Sequence, residues 1–183
     1  VFYTKTEELS IKANKVELLS KNLHPLPNMK EKDGELFFSF DDKEQRYRKR
    51  YLDLIINDDS RDVFISRFNI INSIRSYLNV NSFIEVETPV LQPLYGGANA
   101  KPFTTYHNSL DQKLFLRIAD ELYLKRLIVG GFEKVYEISK NFRNEGMDKN
   151  HNPEFTMLEF YSAYSDVYDM MELTEGMIKN LVK

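Results

Sequence analysis

The stretch FRNEGMDKNHNPEFTMLEFY, Phe142 to Tyr161, constrains the fold more than any other part of this chain. An arginine-bearing strand, a polar loop and a returning strand read directly from it. On the returning strand Phe155, Met157, Glu159 and Tyr161 fall at every second position. Side chains alternate faces along a strand, so these project one way while Thr156, Leu158 and Phe160 project the other. One face of the hairpin is ordinary packing surface. The other mixes rings, a carboxylate and a phenol, and the same alternation lets Arg143 and Glu145 share a face on the incoming strand. A cation, carboxylates and rings gathered in this way suit a pocket for a phosphorylated, planar, positively charged guest better than they suit a core.

The surrounding segments read as short alternating elements. Leu9, Ile11 and Ala13 alternate, and Val16, Leu18 and Leu19 follow a turn at Asn14-Lys15, so the first twenty residues predict two strands. Two strands alone are marginal in water and need a larger sheet to pack on. Leu23 to Pro27 reads as a linker. Asp41 to Ile56 predicts a helix capped by Asp41 or Asp42. It carries the basic run Arg46-Tyr47-Arg48-Lys49-Arg50, open to two readings: a solvated face beside a packed Tyr47–Tyr51–Leu54 stripe, or a basic surface for a nucleic acid or a partner subunit. A second helix, capped by Asp59 or Ser60 and reaching Leu78, has Phe64, Phe68, Ile71, Ile74 and Leu78 as its apolar stripe. Phe83 to Val86 is a short strand that Pro89 ends. Phe103–Tyr106 and Lys113–Arg117 predict a strand pair around a turn at Asn108–Asp111. A helix from Asp120 to Val129 stops at Gly130-Gly131. The hairpin strands are Val135–Asn141 and Phe155–Tyr164, and a last helix from Asp166 has Met170, Leu173, Met177, Ile178 and Leu181 as a core face.

Composition excludes several function classes. The chain has no cysteine, so disulfides, thiolate metal sites and cysteine nucleophiles are excluded within it. A net charge of −3 gives no global attraction to nucleic acid, so any such contact must use a local patch. With 42% hydrophobic and 29% charged residues and no long apolar run, the chain reads as globular, with neither a membrane span nor a signal peptide. A cytoplasmic location is the expectation.

The hairpin segment resembles motif 2 of the class II aminoacyl-tRNA synthetases, in detail that of the lysyl-tRNA synthetases. FIEVETPVLQP at Phe83 to Pro93, GGANAKPF at Gly96 to Phe103 and LRIADELYLKRLIVGGFEKVYEI at Leu116 to Ile138 extend the likeness over essentially the whole chain. The resemblance implies an α+β fold in which residues 28–183 form the first part of a class II catalytic domain, an antiparallel sheet with flanking helices. Residues 1–27 would be the linker and last strands of an OB-fold β-barrel that binds the anticodon. The helix and strand before Pro89 match motif 1, which implies a homodimer.

The resemblance also implies chemistry. The substrates would be lysine, ATP and a lysine-specific tRNA. Arg143 would be the catalytic residue, bridging the lysine carboxylate and the α-phosphate. Phe155 would stack on adenine, with Glu145, His151 and Asn152 also holding ATP. Glu159 and Tyr161 would receive the lysine ammonium, Glu121 would lie near the α-amino group, and Gly97 would offer its backbone to the amino acid. On its own Glu121 is equally an ordinary acid in a first helical turn, and Gly97 an ordinary loop glycine. His151 is not needed as a base, because the substrate carboxylate is already ionised. Asp148, His151 and Glu154 lack a metal-ligand pattern. None of the glycines makes the GxGxxR pattern of the family's third motif. The chain therefore reads as an internal fragment, inactive alone, whose γ-phosphate arginine and Mg2+ ligands lie beyond Lys183. Rival readings are the paralogue that joins a β-lysine to a translation elongation factor, the aspartyl and asparaginyl enzymes, and a non-catalytic dimerisation or binding fragment. The strand-like start and the Arg46–Leu54 segment favour the first reading over the paralogue, and the Glu159–Tyr161 context favours a cationic substrate.

Overall fold

The computed structural model describes residues 1–24, 26–27, 29–32, 35–38 and 40–182, with 29–32 and 35–38 described as backbone. The chain divides into two compact units, 1–65 and 66–183.

In the first unit, β1 (Phe2–Tyr3) and β2 (Leu9–Ser10) pair antiparallel across a tight turn in which Glu7 adopts φ 63°. The strand predicted at Val16–Leu19 does not form. Ile11, Leu18 and Leu19 are strongly exposed, so the alternating side chains have nothing to pack on, and alternation alone does not hold a strand. The predicted linker lies partly outside the described residues, and its described positions carry neither helix nor strand. A second hairpin pairs β3 (Met29–Lys32) with β4 (Glu35–Phe38).

The predicted single helix over Asp41–Ile56 is two: α1 (Lys43–Arg48), capped by Asp42 accepting from the Gln45 amide, and α2 (Arg50–Ile56). Lys49, at φ −119° and ψ 53°, breaks them. The reason lies in the fully buried Asp53. Its carboxylate accepts from Arg46 Nε at 2.6 Å, Asn57 Nδ2 at 2.7 Å, Ser60 Oγ at 2.8 Å and Arg50. In one continuous helix Arg46 would stand about 10 Å along the axis from Asp53; the interruption lets both guanidinium groups reach one carboxylate. Half of the basic run is thus committed inside the molecule, which neither reading of it anticipated. Tyr47 and Tyr51 are exposed and do not form the predicted packed stripe.

Burial pushes the Asp53 carboxyl up, but the donors from Asn57, Ser60, Arg46 and Arg50 outweigh it and hold the carboxyl well below the usual carboxylate range. Asp53→Ala is expected to lower stability by about 3 kcal/mol, the cost of leaving two part-buried cations without their carboxylate, moderated because both arginines reach water. A depressed folded value means that this stability is present above the ordinary carboxylate range and lost only as pH falls through the folded value. Urea unfolding at pH 5 and 7 should therefore show the same deficit; a deficit that vanished at pH 5 would contradict the assignment.

Helix α3 (Asp58–Val80) starts one residue before Asp59, with Asn57 ahead of it, and Ser60 serves Asp53 instead of capping. In the second unit its last turns supply Leu78 to a core completed by Phe83, Tyr136 and Met177, with Ile74, Ile138, Leu158, Phe160 and Leu173 packed around them. Burying a side chain such as Leu78 contributes about 1.5–3 kcal/mol. Phe64 and Phe68, the start of the predicted stripe, remain exposed.

The central sheet has the order β10-β9-β5: β5 (Ile84–Glu85) runs parallel to β9 (Lys134–Phe142), and β10 (Glu154–Ser162) antiparallel to it. Tyr136, Ile138, Leu158 and Phe160 share the face that packs on α3 and on α5 (Val167–Leu181). On α5, Met177 is buried but Ile178 is 54% exposed, so Ile178 lies off the predicted core face. Asp166 caps α5 with a reciprocal capping box through Asp169. Gly176 sits inside this helix because the Tyr77 hydroxyl occupies the space a Cβ would need. A second sheet, β6 (Leu91–Gln92), β8 (Gln112–Leu116) and β7 (Thr104–His107) in the order β6-β8-β7, includes the predicted strand pair, turned by a 3-10 helix at Asn108–Leu110. Helix α4 (Glu121–Val129) packs on β9 and β10. No described helix is long and apolar enough to cross a membrane.

Candidate active site

The register of the hairpin decides which side chains meet. Phe155 pairs with Asn141, Met157 with Ser139, and Glu159 with Glu137. Directly opposed residues project to the same face, so the face away from the core carries Glu137, Ser139 and Asn141 as well as Phe155, Met157, Glu159 and Tyr161. That polar half of β9 was missed in the sequence, although Glu137, Ser139 and Asn141 alternate there as visibly as the β10 set.

At the loop end of the hairpin, Arg143, Glu145, His151, Asn152 and Phe155 line one cavity of about 360 Å³ together with Gly146, Asn150 and Thr156. The guanidinium of Arg143 lies 5.1 Å from the Phe155 ring centroid, a cation–π contact. It makes one long bond, Nη2 to the Ile118 carbonyl at 3.5 Å, and its Nε is buried without a partner among the described residues. A guanidinium so sparsely satisfied keeps most of its donor fork for a guest.

Strand alternation does not explain how Arg143 and Glu145 come together, because β9 ends at Phe142. Instead the chain turns tightly, with the Glu145 amide donating to the Arg143 carbonyl at 2.9 Å and the Asn144 amide to the Lys101 carbonyl at 2.8 Å. Glu145 Oε1 accepts from the Lys101 amide at 3.1 Å. The loop is organised by Asp148, which accepts from the Asn150 and His151 amides and lies 2.8 Å from the His151 ring Nδ1. The Asn150 amide first, and then His151, hold the Asp148 carboxyl below its ordinary range.

Further along the same face, Glu159 is half-buried. Its Oε1 accepts from the Asp120 amide at 3.2 Å and its Oε2 from the Tyr161 hydroxyl at 3.2 Å. Burial pushes the Glu159 carboxyl up and the negative charges of Asp120 and Glu121 push it further, against the Asp120 amide and the Tyr161 hydroxyl. Burial, then Glu159 and Glu121, raise Tyr161 far above the ordinary phenol range. Glu121 opens α4 and accepts from Lys125 at 2.6 Å, an i,i+4 pair of the modest kind common on helix surfaces. Gly97 lies against it: at φ +84° a Cβ there would come within 2.8 Å of Glu121 Cβ and 3.1 Å of Ala119 Cβ. The glycine is required by the backbone and by its neighbours, whatever else it contacts.

Gly97, Glu121, Glu159 and Tyr161 thus bring two acids and a phenol together, with no arginine or lysine paired to the half-buried Glu159 among the described residues, an arrangement whose chemistry suits a cation. Segment 118–120 joins it to the arginine cavity, giving its Ile118 carbonyl to Arg143 and its Asp120 amide to Glu159. No group of three or more histidines, aspartates or glutamates among the described residues could hold a metal ion.

The family described as tRNA synthetases class II (D, K and N) matches residues 42–183. A lysine–tRNA ligase of Azobacteroides pseudotrichonymphae is 58% identical over 181 residues, covering 99% of this chain and 36% of the relative. The lysine–tRNA ligase of Porphyromonas gingivalis is 56% identical over 181 residues, covering 99% and 31%, and that of Methanospirillum hungatei 58% over 182 residues, covering 100% and 35%. The chain thus spans about a third of the length of these curated relatives.

Proposed function

Since the chain belongs to the class II tRNA synthetase family, we propose that it supplies the lysine pocket and the ATP-holding hairpin of a lysine–tRNA ligase. The observation that carries this reading is the half-buried Glu159, held by Tyr161 and the Asp120 amide, one short segment away from the arginine cavity. Glu159 and Tyr161 receive the side-chain ammonium. Glu121 meets the α-amino group, exchanging its exposed partner Lys125 for the substrate, and the backbone at Gly97 borders the amino acid. The lysine carboxylate is thereby directed toward Arg143.

In the first reaction a lysine carboxylate oxygen attacks the α-phosphorus of ATP, forming lysyl-adenylate and releasing pyrophosphate. In the second, lysine passes to the terminal ribose of tRNA. Arg143 bridges the two anions and stabilises the charge growing at phosphorus. Phe155 carries the adenine, and Glu145, His151 and Asn152 border the nucleotide. Mg2+, which supplies charge neutralisation of the phosphates when bound, takes its ligands beyond Lys183 in this reading, and no step here runs through it. Residues 1–27 are read as the end of an OB-fold anticodon domain and the remainder as the first part of the catalytic domain. The exposed Phe64 and Phe68 of α3 suit a homodimer contact through the motif 1 region.

Exchange of pyrophosphate into ATP by the full-length protein, offered each amino acid in turn, tests the reading; it requires lysine to be the one that supports exchange. Within it, Phe155→Ala should raise the KM for ATP by about tenfold and leave that for lysine within twofold, because a base–aromatic contact is worth roughly 1–3 kcal/mol. A rise for lysine with ATP unchanged would reverse the assignment of the two subsites.

A further inference from the structure

Asp120 breaks a local rule. An aspartate directly before a helix ordinarily turns its carboxylate onto the first free amides of that helix, yet Asp120 makes no such bond to α4. Its fully buried carboxylate points at β9 instead, where Oδ2 accepts from Ser139 Oγ at 2.6 Å and from Asn141 Nδ2 at 3.2 Å. Oδ1 lies 3.3 Å from Arg117 Nε but off line, so it gains attraction without a hydrogen bond. Arg117 is itself fixed, donating to the Lys140 carbonyl, to Thr88 and, at 2.7 Å, to the buried Glu137. A buried charge is costly even when it is paired and hydrogen-bonded, and a departure from local preference marks places where function takes precedence.

We propose that Asp120 is a positioning residue for amino-acid selectivity, its carboxylate locking segment 118–120 onto β9 so that the Asp120 amide holds Glu159 in the geometry that receives the ammonium. The proposal rests on the lysine pocket described above and adds to it a residue whose own carboxylate need not touch the substrate. The same lock fixes the Ile118 carbonyl that takes Arg143, but the bond there is long, at 3.5 Å, so the amide at Asp120 is the tighter link. The charged and titratable groups facing Asp120 are Arg117 on its own segment, Glu137 on β9, Glu159 and Tyr161 on β10 and Glu121 on α4. Glu137 is answered by Arg117 and Thr88, so it does not compete for the ammonium although it stands opposite Glu159 in the sheet.

Asp120→Asn tests this. The amide oxygen can keep Ser139 and Asn141, but its NH2 then faces Arg117 Nε–H, donor against donor, and the segment loosens. In pyrophosphate exchange by the full-length protein, Asp120→Asn should raise the KM for lysine about tenfold, within the range of coupling between neighbours, with the KM for ATP within twofold. Combined with Glu159→Gln the two penalties should fall well short of multiplying, because the charge that the Asp120 amide positions for the ammonium is gone. Ser139→Ala, a smaller change at the same carboxylate, should reproduce the pattern at about threefold and carries the test if Asp120→Asn does not fold, as judged by its melting temperature. An unchanged lysine constant, a parallel rise for lysine and ATP, or penalties that multiply in the double variant would each overturn the proposal. If Glu159→Gln alone leaves lysine unaffected, the lysine pocket itself is wrong and the proposal falls with it.

Discussion

Arg143→Ala in the full-length protein is expected to lower lysine-dependent ATP–pyrophosphate exchange by at least about 100-fold, the scale for losing one electrostatic donor from a transition state. The local structure assigns the role to Arg143 itself. The cavity at the loop end of the hairpin is lined by one acid, amides, a histidine and an aromatic ring, and Arg143 is the sole arginine or lysine among its described lining residues. Its guanidinium rests on Phe155 and makes only the long bond to the Ile118 carbonyl. Little is therefore lost from the protein when the fork turns to a guest. Arg143→Lys should recover only part of the rate, since an ammonium supplies the charge without the planar pair of donors that can bridge a carboxylate and a phosphate. Because the ring of Phe155 loses its guanidinium partner in either variant, the ATP constant will also move. The decisive quantity is therefore kcat measured at saturating ATP and lysine. Near-normal kcat in Arg143→Ala would remove Arg143 from the chemistry.

How far the site could be read beforehand follows from the range of the interactions that build it. Alternation along β10 is local, so the split between Phe155–Met157–Glu159–Tyr161 and Leu158–Phe160 was legible, and the packing of the second set on Leu78, Phe83 and Tyr136 agrees with it. Arg143 and Glu145 meet through a turn held by Lys101, more than forty residues earlier in the chain, and no periodicity in FRNE reports that. Asp53 shows the same limit. Helical spacing from Asp41 to Ile56 is unbroken in the sequence, and only the convergence of Arg46, Arg50, Asn57 and Ser60 on one buried carboxylate shows why the helix divides at Lys49. Asp120 was hidden for a different reason: its place before Glu121 reads as an ordinary cap, and its true partners, Ser139 and Asn141, belong to another strand. At the chain start the error ran the other way. Leu9, Ile11 and Ala13 alternate convincingly, but a strand needs a neighbour, and the pairing there stops after Ser10.

Glu159→Gln should weaken lysine by at least about tenfold while leaving ATP nearly unchanged, since a charge-assisted hydrogen bond is worth roughly 1.5–3 kcal/mol. The amide keeps the shape and one acceptor, which either the Asp120 amide or the Tyr161 hydroxyl can still address; what disappears is the charge that makes a desolvated ammonium tolerable. Selectivity should fall with affinity. An uncharged isostere such as norleucine leaves the wild-type carboxylate buried and unpaired, whereas it leaves the glutamine merely polar, so the preference for lysine over the isostere must shrink. The raised position of the Glu159 carboxyl adds a second signature. Burial, helped by Asp120 and Glu121, favours its neutral form, so in the wild type lysine affinity should decline as pH falls through this raised value, at milder acidity than an exposed glutamate would require. In Glu159→Gln that limb should disappear, because the group that titrates is gone. Calorimetric titration of lysine and norleucine into both proteins, repeated down to mildly acidic pH, measures all three effects. An equal preference for lysine in the two proteins, with the acid limb retained, would mean that another carboxylate reads the side chain; Glu121, within the same electrostatic cluster, would then be the residue to substitute next.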